Sequence, residues 1–513
     1  MSLPEAGAFA RARCDRLVNR FSAAWLECPA RSSAVERGRI GLGLWSTIAV
    51  LAGCQAPDLA AQPVAGEPRC SQVSADARRG GGAIELDRVW TGVGTAIGAA
   101  ATARGQIFAA YFDADRWATV TRFDPLRRVS CSIRLPSRFS GWDAHNSLAV
   151  AIAPDDTVHV VGNMHASPLF YARGTVRDVG SIRPASMIGR DELRATYPRF
   201  LHDGNGNLVF MYRTGGSGNG SWLLNRWQDG RWQRIGSIFA DRDRKGPVSA
   251  YPSTFRTGAD GYVHVAVVWR RTPDVASNFA VSYARTKNFQ TWFTANGHPI
   301  AAPLSPDTMD LVENVGEDAG LVNRLDLALA ADGAPVILYP RYAETDGKVR
   351  YGAANGPAIV AARPGRGGWR IREIATSRTP SIVEGKGALP NLPAVWILDQ
   401  QPKSARVRIA FPGRDRRRVQ LDLQTLVTVP DAGDAGSARP NAVASPAFPK
   451  GMEDVSTRQA IVLENGVDGQ KVGTLRWFAQ VAHGDKPRSC SSTAPVACDP
   501  PAAPLLWSAG KTP

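Results

Sequence analysis

The sequence predicts an all-β chain that folds as a seven-bladed β-propeller. Of the 513 residues, 50 are Gly and 36 are Pro, a turn-rich composition that favours many short strands over long helices. After residue 83, short apolar or alternating segments recur roughly every 50–70 residues, as repeated blades require. Several of them directly follow a turn signal such as Asp332-Gly333, and no long amphipathic helix pattern separates them.

Seven of the recurring segments can be read as one strand from each blade. Each is followed by further strand-like sequence, such as residues 277–292, and four short strands repeated radially are the plan of a β-propeller. Six or eight blades stay open as alternatives, because the last units are degenerate. A β-sandwich fits less well, since such domains span about 100–250 residues. The seven segments are 105–112, 157–164, 206–213, 261–270, 333–340, 393–399 and 474–481.

An apolar run near the start of the chain has the layout of a signal peptide. Residues 40–50 follow Arg37 and Arg39 and are too few to span a bilayer. The next residues, Leu51-Ala52-Gly53-Cys54, resemble the bacterial lipobox, which predicts cleavage before Cys54 and acylation of its thiol. Because Gln55 rather than Asp follows, we expect an exported outer-membrane lipoprotein that faces the periplasm or the cell surface. The alternative is a buried strand followed by a free cysteine.

These signals divide the chain into four parts. We predict an N-terminal extension with the signal peptide at 1–53, a flexible tether at 54–82, the propeller at 83–483 and a loose tail at 484–513. The tether is assigned because its residues are rich in Ala, Pro, Gly and Ser.

The cysteines beyond Cys54 can form two disulfides in an exported protein. The simplest pairing joins Cys70 to Cys131 and Cys490 to Cys498, and two other pairings stay open. No Cys-x-x-Cys or Cys/His cluster has zinc spacing. We therefore expect no metal or other cofactor in catalysis, whereas a structural calcium ion stays open without a convincing ligand motif.

The formal net charge of +15 predicts an attraction to polyanions such as nucleic acid, anionic lipid or acidic polysaccharide. Nucleic-acid binders concentrate Lys and Arg in one patch or arm. Here these residues are spread along the chain, and the densest run, Arg414–Arg418, is short. We expect no nucleic-acid partner, and a membrane contact only through the lipid. A basic but ordinary soluble surface explains the charge equally well.

Histidine is scarce, and three of the seven histidines, His145, His159 and His165, lie in a dense polar cluster at 141–173. His145 and His165 are separated by a strand–turn–strand segment, which can bring both side chains to the same end of one blade. His159 and His264 lie in mid-strand, where a histidine more often packs in the core than reacts.

Two tyrosines and an arginine extend this cluster into the following units. Tyr197 and Tyr251 each precede a proline, and Arg213 precedes the glycine-rich stretch 215–220. Such a stretch does not suit a regular strand, so it indicates a tight turn or close approach of the backbone to a ligand. It is not a P-loop, since no Gly-Lys-Ser/Thr follows. The alternative for the tyrosines is that they merely fill the centre of the propeller.

The same stretch resembles a known family. Asp-Ala-His-Asn, Thr-Tyr-Pro-Arg-Phe and Tyr-Arg-Thr-Gly-Gly-Ser-Gly-Asn-Gly are similar to segments of BNR-repeat proteins that include the ulvan lyases of polysaccharide lyase families 24 and 25. The resemblance runs from about residue 88 to 355 and is densest over 141–292. Two positions depart from it, because Phe279 stands where many relatives have His, and Pro340-Arg341 replaces a basic pair.

The resemblance implies a seven-bladed propeller with a substrate cleft across one mouth. It also implies a set of site residues, namely His145, His165, Tyr197, Arg213 and Tyr251.

In a lyase, these residues would share the steps of a β-elimination beside a uronic acid. Arg213 would neutralise the uronate carboxylate, because a guanidinium pairs with it through two parallel hydrogen bonds. Tyr197 is our first choice for the base that removes the C5 proton, and also a candidate acid, if Arg and His neighbours lower its pKa; His145 is second. The remaining residues bind substrate, namely His165, Tyr251 and Asn146.

We therefore predict a monomeric polysaccharide lyase that acts on an acidic, uronate-containing, ulvan-like polysaccharide. The alternatives are a non-catalytic glycan-binding lipoprotein and, less favoured, a BNR-type glycoside hydrolase such as a sialidase.

Overall fold

The computed structural model describes most of the chain from residue 66 onward. The predicted signal peptide and Cys54 lie outside the described residues, as do Cys490 and Cys498. No helix among the described residues is long and apolar enough to cross a membrane. The described ranges are 66–74, 83–216, 220–345, 348–349, 356–386, 389, 391–413, 415–431, 455–464, 469–487 and 499–510.

The first four sheets of the structure are antiparallel and follow one another along the chain. Sheet 1 contains β1 (Arg69–Gln72), β3 (Gly98–Ala101), β4 (Ile107–Phe112), β5 (Trp117–Asp124) and β6 (Val129–Arg138). Sheet 2 contains β7 (Leu148–Ile152), β8 (Thr157–Gly162), β9 (Phe170–Thr175) and β10 (Asp178–Pro184). Sheet 3 contains β11 (Ala195–His202), β12 (Leu208–Thr214), β13 (Ser221–Gln228) and β14 (Arg231–Ser237). Sheet 4 contains β17 (Ser249–Pro252), β18 (Arg256–Thr257), β19 (Val263–Arg270), β20 (Asn278–Thr286), β21 (Trp292–Phe293), β22 (Pro299–Ile300) and β23 (Asp310–Asn314).

The remaining strands form three further sheets and two small hairpins. Sheet 5 contains β24 (Asp326–Leu329), β25 (Pro335–Tyr342), β28 (Pro357–Gly365) and β29 (Gly368–Thr376). Sheet 6 contains β30 (Ala394–Gln400), β31 (Ser404–Ala410), β32 (Arg416–Asp422) and β33 (Thr428–Pro430). Sheet 7 contains β2 (Ile84–Val89), β34 (Val455–Leu463), β35 (Lys471–Gln480) and β36 (Ala503–Ala509). The hairpins are β15 (Arg242–Asp243) with β16 (Gly246–Pro247), and β26 (Glu344–Thr345) with β27 (Lys348–Val349). The described residues also include a short 3₁₀ helix at Val275–Ser277.

This arrangement confirms the prediction of an all-β propeller. Each of the seven segments predicted as strands coincides with a strand, and each lies in a different sheet. Six sheets have a four-stranded core made from one contiguous stretch of chain, whereas sheet 7 joins β2 to β34–β36. A count of contiguous four-stranded units therefore gives six blades, one fewer than the sequence predicts. The composite sheet is not a contiguous repeat, because its strands come from both ends of the described chain.

Both ends of the chain contribute more structure than the sequence predicts. The segment 54–82, predicted as a flexible tether, contains β1, which pairs with β6 and places Cys70 directly opposite Cys131. These two cysteines form a disulfide, which confirms that pairing. The segment 484–513, predicted as a loose tail, contains β36, which pairs with β2 and β35 and buries Leu505 and Trp507. Within the segments predicted as tether and tail, the described strands β1 and β36 are therefore paired rather than loose, because each has partners distant in sequence.

Apolar side chains pack between successive sheets and hold the propeller together. Strand β19 is buried at every position, because a strand covered on both faces can be apolar throughout, whereas β29 alternates between more and less exposed residues. Six clusters of buried residues join sheet 1 to 2, 2 to 3, 3 to 4, 4 to 5, 5 to 6 and 7 to 1. The part of the chain that the structure describes has no comparable cluster between sheets 6 and 7.

Candidate active site

Five residues predicted from the sequence line one cavity of about 310 Å³. Within each sheet, the start of one strand and the end of its antiparallel neighbour lie at the same edge. Thr196, beside Tyr197, pairs with Arg213 across β11 and β12, and Tyr251 of β17 lies beside the end of β19 in the same way. The loops before β7 and after β8 bring two histidines to this edge of sheet 2. The five residues are His145, His165, Tyr197, Arg213 and Tyr251.

The two imidazoles share one carboxylate. Asp143 Oδ1 lies 2.6 Å from Nδ1 of His145, and Oδ2 makes a short hydrogen bond with Nδ1 of His165. The two rings stack with their centroids 4.3 Å apart. Burial acts to raise the pKa of the Asp143 carboxyl, but the hydrogen bonds from both histidines outweigh it and hold the pKa well below its usual range. Because an ionised carboxylate accepts hydrogen bonds, Nδ1 of each imidazole carries the proton and Nε2 is the remaining basic nitrogen.

Among the described residues, Asp143, His145 and His165 form the group that could hold a metal ion. Their ligand atoms lie within 4.8 Å of one another. The hydrogen bonds of Asp143 already engage Nδ1 of both imidazoles, so a metal ion bound at these nitrogens would have to displace them.

A second carboxyl reaches this group from the loop after β35. Burial, followed by the negative charge of Asp143, raises the pKa of Asp485. Asp485 belongs to the segment predicted as a loose tail, so its place beside the histidines is a further correction of that prediction. No sequence signal connects position 485 with positions 143–165.

Tyr197 is held in a strained backbone conformation inside the cavity. Its φ of 56° lies in the left-handed region, which is costly for a residue with a Cβ, and the register of β11 shifts at the same place. The ring stacks on Trp222 at 5.8 Å and meets the edge of His145 at 5.7 Å. Burial raises the pKa of the phenol although the charge of Arg213 opposes it. The condition that its neighbours lower this pKa is therefore not met, because burial outweighs them, and the hydroxyl stays protonated.

Arg213 is a buried cation with no salt-bridge partner among the described residues. Its side chain is 2% exposed and lines the cavity, and its guanidinium carbon lies 4.7 Å from the centroid of the Tyr197 ring. Its Nε has no hydrogen-bond partner, and no described carboxylate forms a salt bridge with it. Gly220 packs against it so closely that a Cβ there would lie 2.7 Å from Cδ of Arg213. The glycine-rich stretch thus allows close packing against this arginine.

A second buried arginine, Arg270 at the end of β19, was missed in the sequence. It donates to Asn278 Oδ1 at 2.7 Å, to the Tyr251 hydroxyl at 3.1 Å and to Asn323 Oδ1 at 3.2 Å. Burial lowers the pKa of its guanidinium. A signal was present, because Tyr-Arg at the end of β12 and Trp-Arg at the end of β19 both follow apolar runs and so occupy matching positions in successive sheets.

The other predicted residues behave differently. The Asn146 side-chain amide donates to the backbone oxygen of Asp143 at 3.2 Å, and Asn146 is not among the residues that line the cavity. His159 and His264 are fully buried and bond to the hydroxyls of Tyr171 and Tyr283, in agreement with a packing role.

Size alone does not identify this cavity. A larger one of about 600 Å³ is lined by hairpin turns, including residues 153–156 and 202–206. Its buried carboxylate, Asp203, is already engaged by the side chain of Asn207 and by backbone N–H groups of its own turn. The smaller cavity is the candidate site because it gathers histidine, tyrosine and unpaired arginine in one place.

Comparisons with known proteins agree with the fold. The family model described as "BNR repeat-containing family member" matches residues 106–377. The crystal structure of the polysaccharide lyase Uly1 superposes with a TM-score of 0.50 at 16% identity, covering 81% of this chain and 89% of that one. A family 25 ulvan lyase bound to GlcA(1-4)Rha3S superposes with a TM-score of 0.51 at 11% identity, covering 78% and 93%. At such identities the likeness shows the fold alone. No curated protein sequence matches the chain.

Proposed function

The chain belongs to the BNR repeat-containing family, and on that premise we propose that it is a polysaccharide lyase that cleaves an acidic polysaccharide by β-elimination beside a uronic acid. The observation that carries this proposal is the buried guanidinium of Arg213, which has no carboxylate partner among the described residues, in a cavity that also holds a protonated phenol and two imidazoles. A buried charge without a partner is costly, so a ligand that supplies a carboxylate is strongly favoured there.

The carboxylate of a uronate fits this requirement. Its charge opposes the loss of the C5 proton, because removing that proton places more negative charge next to it. A guanidinium at the carboxylate stabilises the developing charge in a site with little water. Arg270, held by Tyr251 and two asparagines, adds a second fixed positive charge to the same cavity.

The proton transfers then divide between His145 and Tyr197. A base removes the C5 proton, the electron pair forms the C4–C5 double bond, and the C4–O4 bond breaks as O4 takes up a proton. The imidazole of His145, held at Nδ1 by Asp143, offers Nε2 as the base. A phenol whose pKa is raised by burial is protonated at the start, so Tyr197 suits the acid that protonates O4. Assignment of the base to His145 reverses the order of preference derived from the sequence, because the burial of Tyr197 disfavours its phenolate.

The remaining features extend this proposal. An ulvan-like polymer of glucuronate and rhamnose is the substrate we propose, on the basis of the shared fold and the five site residues. Catalysis would need no cofactor, because each step has a protein group.

We also propose export and lipid attachment at Cys54, which rest on the sequence pattern alone. A sialidase-type hydrolase is less well supported, since its tyrosine nucleophile needs an acidic partner and no Asp or Glu lines the cavity among the described residues.

One assay distinguishes a lyase from its alternatives. The protein is incubated with a panel of uronate polysaccharides while absorbance near 235 nm and new reducing ends are followed. Elimination gives both signals because the product is an unsaturated uronate, hydrolysis gives reducing ends alone, and binding gives neither. We expect both signals, unchanged after treatment with a chelator. Reducing ends without absorbance, or neither signal on every uronate polymer, would refute the lyase.

A further inference from the structure

A second cavity, about 550 Å³, continues from the candidate site along the open side between sheets 6 and 7. It shares Arg324, Leu389 and Leu392 with the site cavity, so the two form one continuous groove. The six apolar clusters that join the other sheets have no counterpart between these two among the described residues. The groove therefore lies where neighbouring sheets are least tightly packed.

The wall of this groove combines an exposed indole with cations. Trp396 of β30 is 37% exposed and lies opposite Arg408 of β31, whose guanidinium carbon is 4.3 Å from the centroid of the indole ring. Arg416 lines the same cavity and bonds to the backbone oxygen of Phe411. Burial lowers the pKa of Arg408, and the charges of Arg418 and Arg416 lower it further. Arg408 and Arg416 therefore repel each other while both line one groove.

The groove cations lack the counter-charges that their neighbours have. Arg406 pairs with Asp399 and Arg417 pairs with Asp415, both on sheet 6. Among the described residues, neither Arg408 nor Arg416 forms a salt bridge with a carboxylate. Within the short basic run singled out in the sequence, Arg417 is thus paired with Asp415 outside the groove, whereas Arg416 lines the groove without a salt bridge to a described carboxylate.

We propose that this groove is a binding subsite for a second anionic sugar unit of the polysaccharide chain whose uronate occupies the candidate site. The indole offers a flat apolar face to a pyranose ring, and the two guanidinium groups suit the planar oxygens of a carboxylate or the oxygens of a sulfate ester. Trp396, Arg408 and Arg416 lie outside the residues that match the family model, so the family match does not account for them. The proposal rests on the proposed function only in taking both sugars from one chain.

Direct binding tests the subsite without relying on turnover. Affinities of the whole protein for polyglucuronate, dextran sulfate and uncharged dextran are measured by calorimetry at about 0.15 M salt, where distant surface charges are largely screened. The variants are Trp396→Ala and the double variant Arg408→Ala/Arg416→Ala. Arg406→Ala is the matched control, because it removes one positive charge from the same strand outside the groove.

We expect the wild type to bind at least one anionic polymer and not dextran. Each groove variant should bind that polymer at least about tenfold more weakly, and Arg406→Ala should stay within about twofold. If the groove variants weaken the binding of polyglucuronate, the subsite binds a carboxylate; if they weaken the binding of dextran sulfate, it binds a sulfate ester. If Arg406→Ala weakened binding as much per charge removed as Arg408→Ala/Arg416→Ala, and Trp396→Ala bound like the wild type, binding would follow net charge and the subsite would be overturned. Unchanged affinity in the groove variants, or no binding by the wild type, would equally overturn it. Because dextran sulfate contains no uronate that could be eliminated, its binding is measured without turnover, and this outcome is independent of the absorbance assay.

Discussion

Arg341 and Arg213 are both almost completely buried, at 1% and 2% exposed, yet they have opposite surroundings. Arg341, in β25, pairs with Glu313 at 3.1 Å, Glu373 at 2.7 Å and Glu344 at 3.3 Å. Arg213 has no such partner among the described residues. The same fold therefore neutralises one buried cation internally and leaves the other open to a cavity. This network explains Arg341 as structural.

The sharpest test of this contrast is Arg213→Met, which removes the charge and keeps a long apolar side chain. In this variant we expect the rate on a cleavable polymer to fall about 10³–10⁵-fold, as for other arginines that stabilise developing negative charge. The midpoint of thermal unfolding should rise, because a buried unpaired charge has been removed. Arg213→Lys should also be slow, since an ammonium lacks the bidentate fork. A large loss of stability in Arg213→Met would place this arginine in the same class as Arg341.

Tyr197→Phe removes only a hydroxyl from the ring that lies beneath Arg213. We expect kcat to fall about 10²–10⁴-fold with little change in KM, because a proton transfer is lost and the packing on Trp222 remains. Steady-state kinetics at 235 nm measure both constants. Near-normal activity would exclude Tyr197 from proton transfer, and the same measurement on His145→Ala would then show whether the histidine acts alone.

Arg341→Met tests the other side of the comparison. Three carboxylates would lose their shared cation, so we expect the free energy of unfolding to fall by about 3 kcal/mol, the lower end for breaking a buried ion pair because Glu344 is partly exposed. Denaturant unfolding measures this change. At temperatures where the variant is folded, kcat should match the wild type, and a specific loss of kcat would contradict a purely structural role.

Asp143→Asn should weaken the hydrogen bonds that hold His145 and His165, while both imidazoles stay in place. An amide can accept a hydrogen bond from one imidazole but must donate to the other, which changes the tautomer of one ring. We expect a loss of about 10–100-fold in kcat, typical when a residue that orients a reacting group is replaced. The informative comparison uses the double variant Asp143→Asn/His145→Ala. Its kcat should be no lower than that of His145→Ala alone. Additive losses would show that Asp143 acts independently of His145.

The packed histidines provide a smaller effect that depends on pH. Burial lowers the pKa of His159 to about 3 and that of His264 to about 4, below the ordinary 6.5. The unfolded chain therefore binds more protons than the folded one at mildly acidic pH, so stability is full above about 6.5 and falls as the pH drops towards 4. Each histidine contributes a slope of up to about 1.4 kcal/mol per pH unit. In His264→Gln the slope of unfolding free energy against pH should be shallower, and an unchanged slope would contradict this account.

Much of the fold follows from local sequence. The turn-rich composition and the spaced apolar segments locate a strand of every sheet, because strand formation depends on short-range pattern and turn chemistry. The candidate site was also accessible, since matching positions in successive repeats reach the same edge. The repeated position of an arginine after an apolar run could have revealed Arg270 in the same way.

The tertiary structure alone decided what depends on distant partners. Strands β1 and β36 belong to the folded unit because each pairs with a strand far from it in sequence, and composition predicted neither. Burial, which reflects the whole environment, raises the pKa of Tyr197 where its neighbouring charge predicted a fall. The sequence likewise does not predict whether a buried arginine has a carboxylate partner, because the carboxylates around Arg341 come from three separate strands. The sequence determined which residues carry charge, and only the packing decided which charges were left for a ligand.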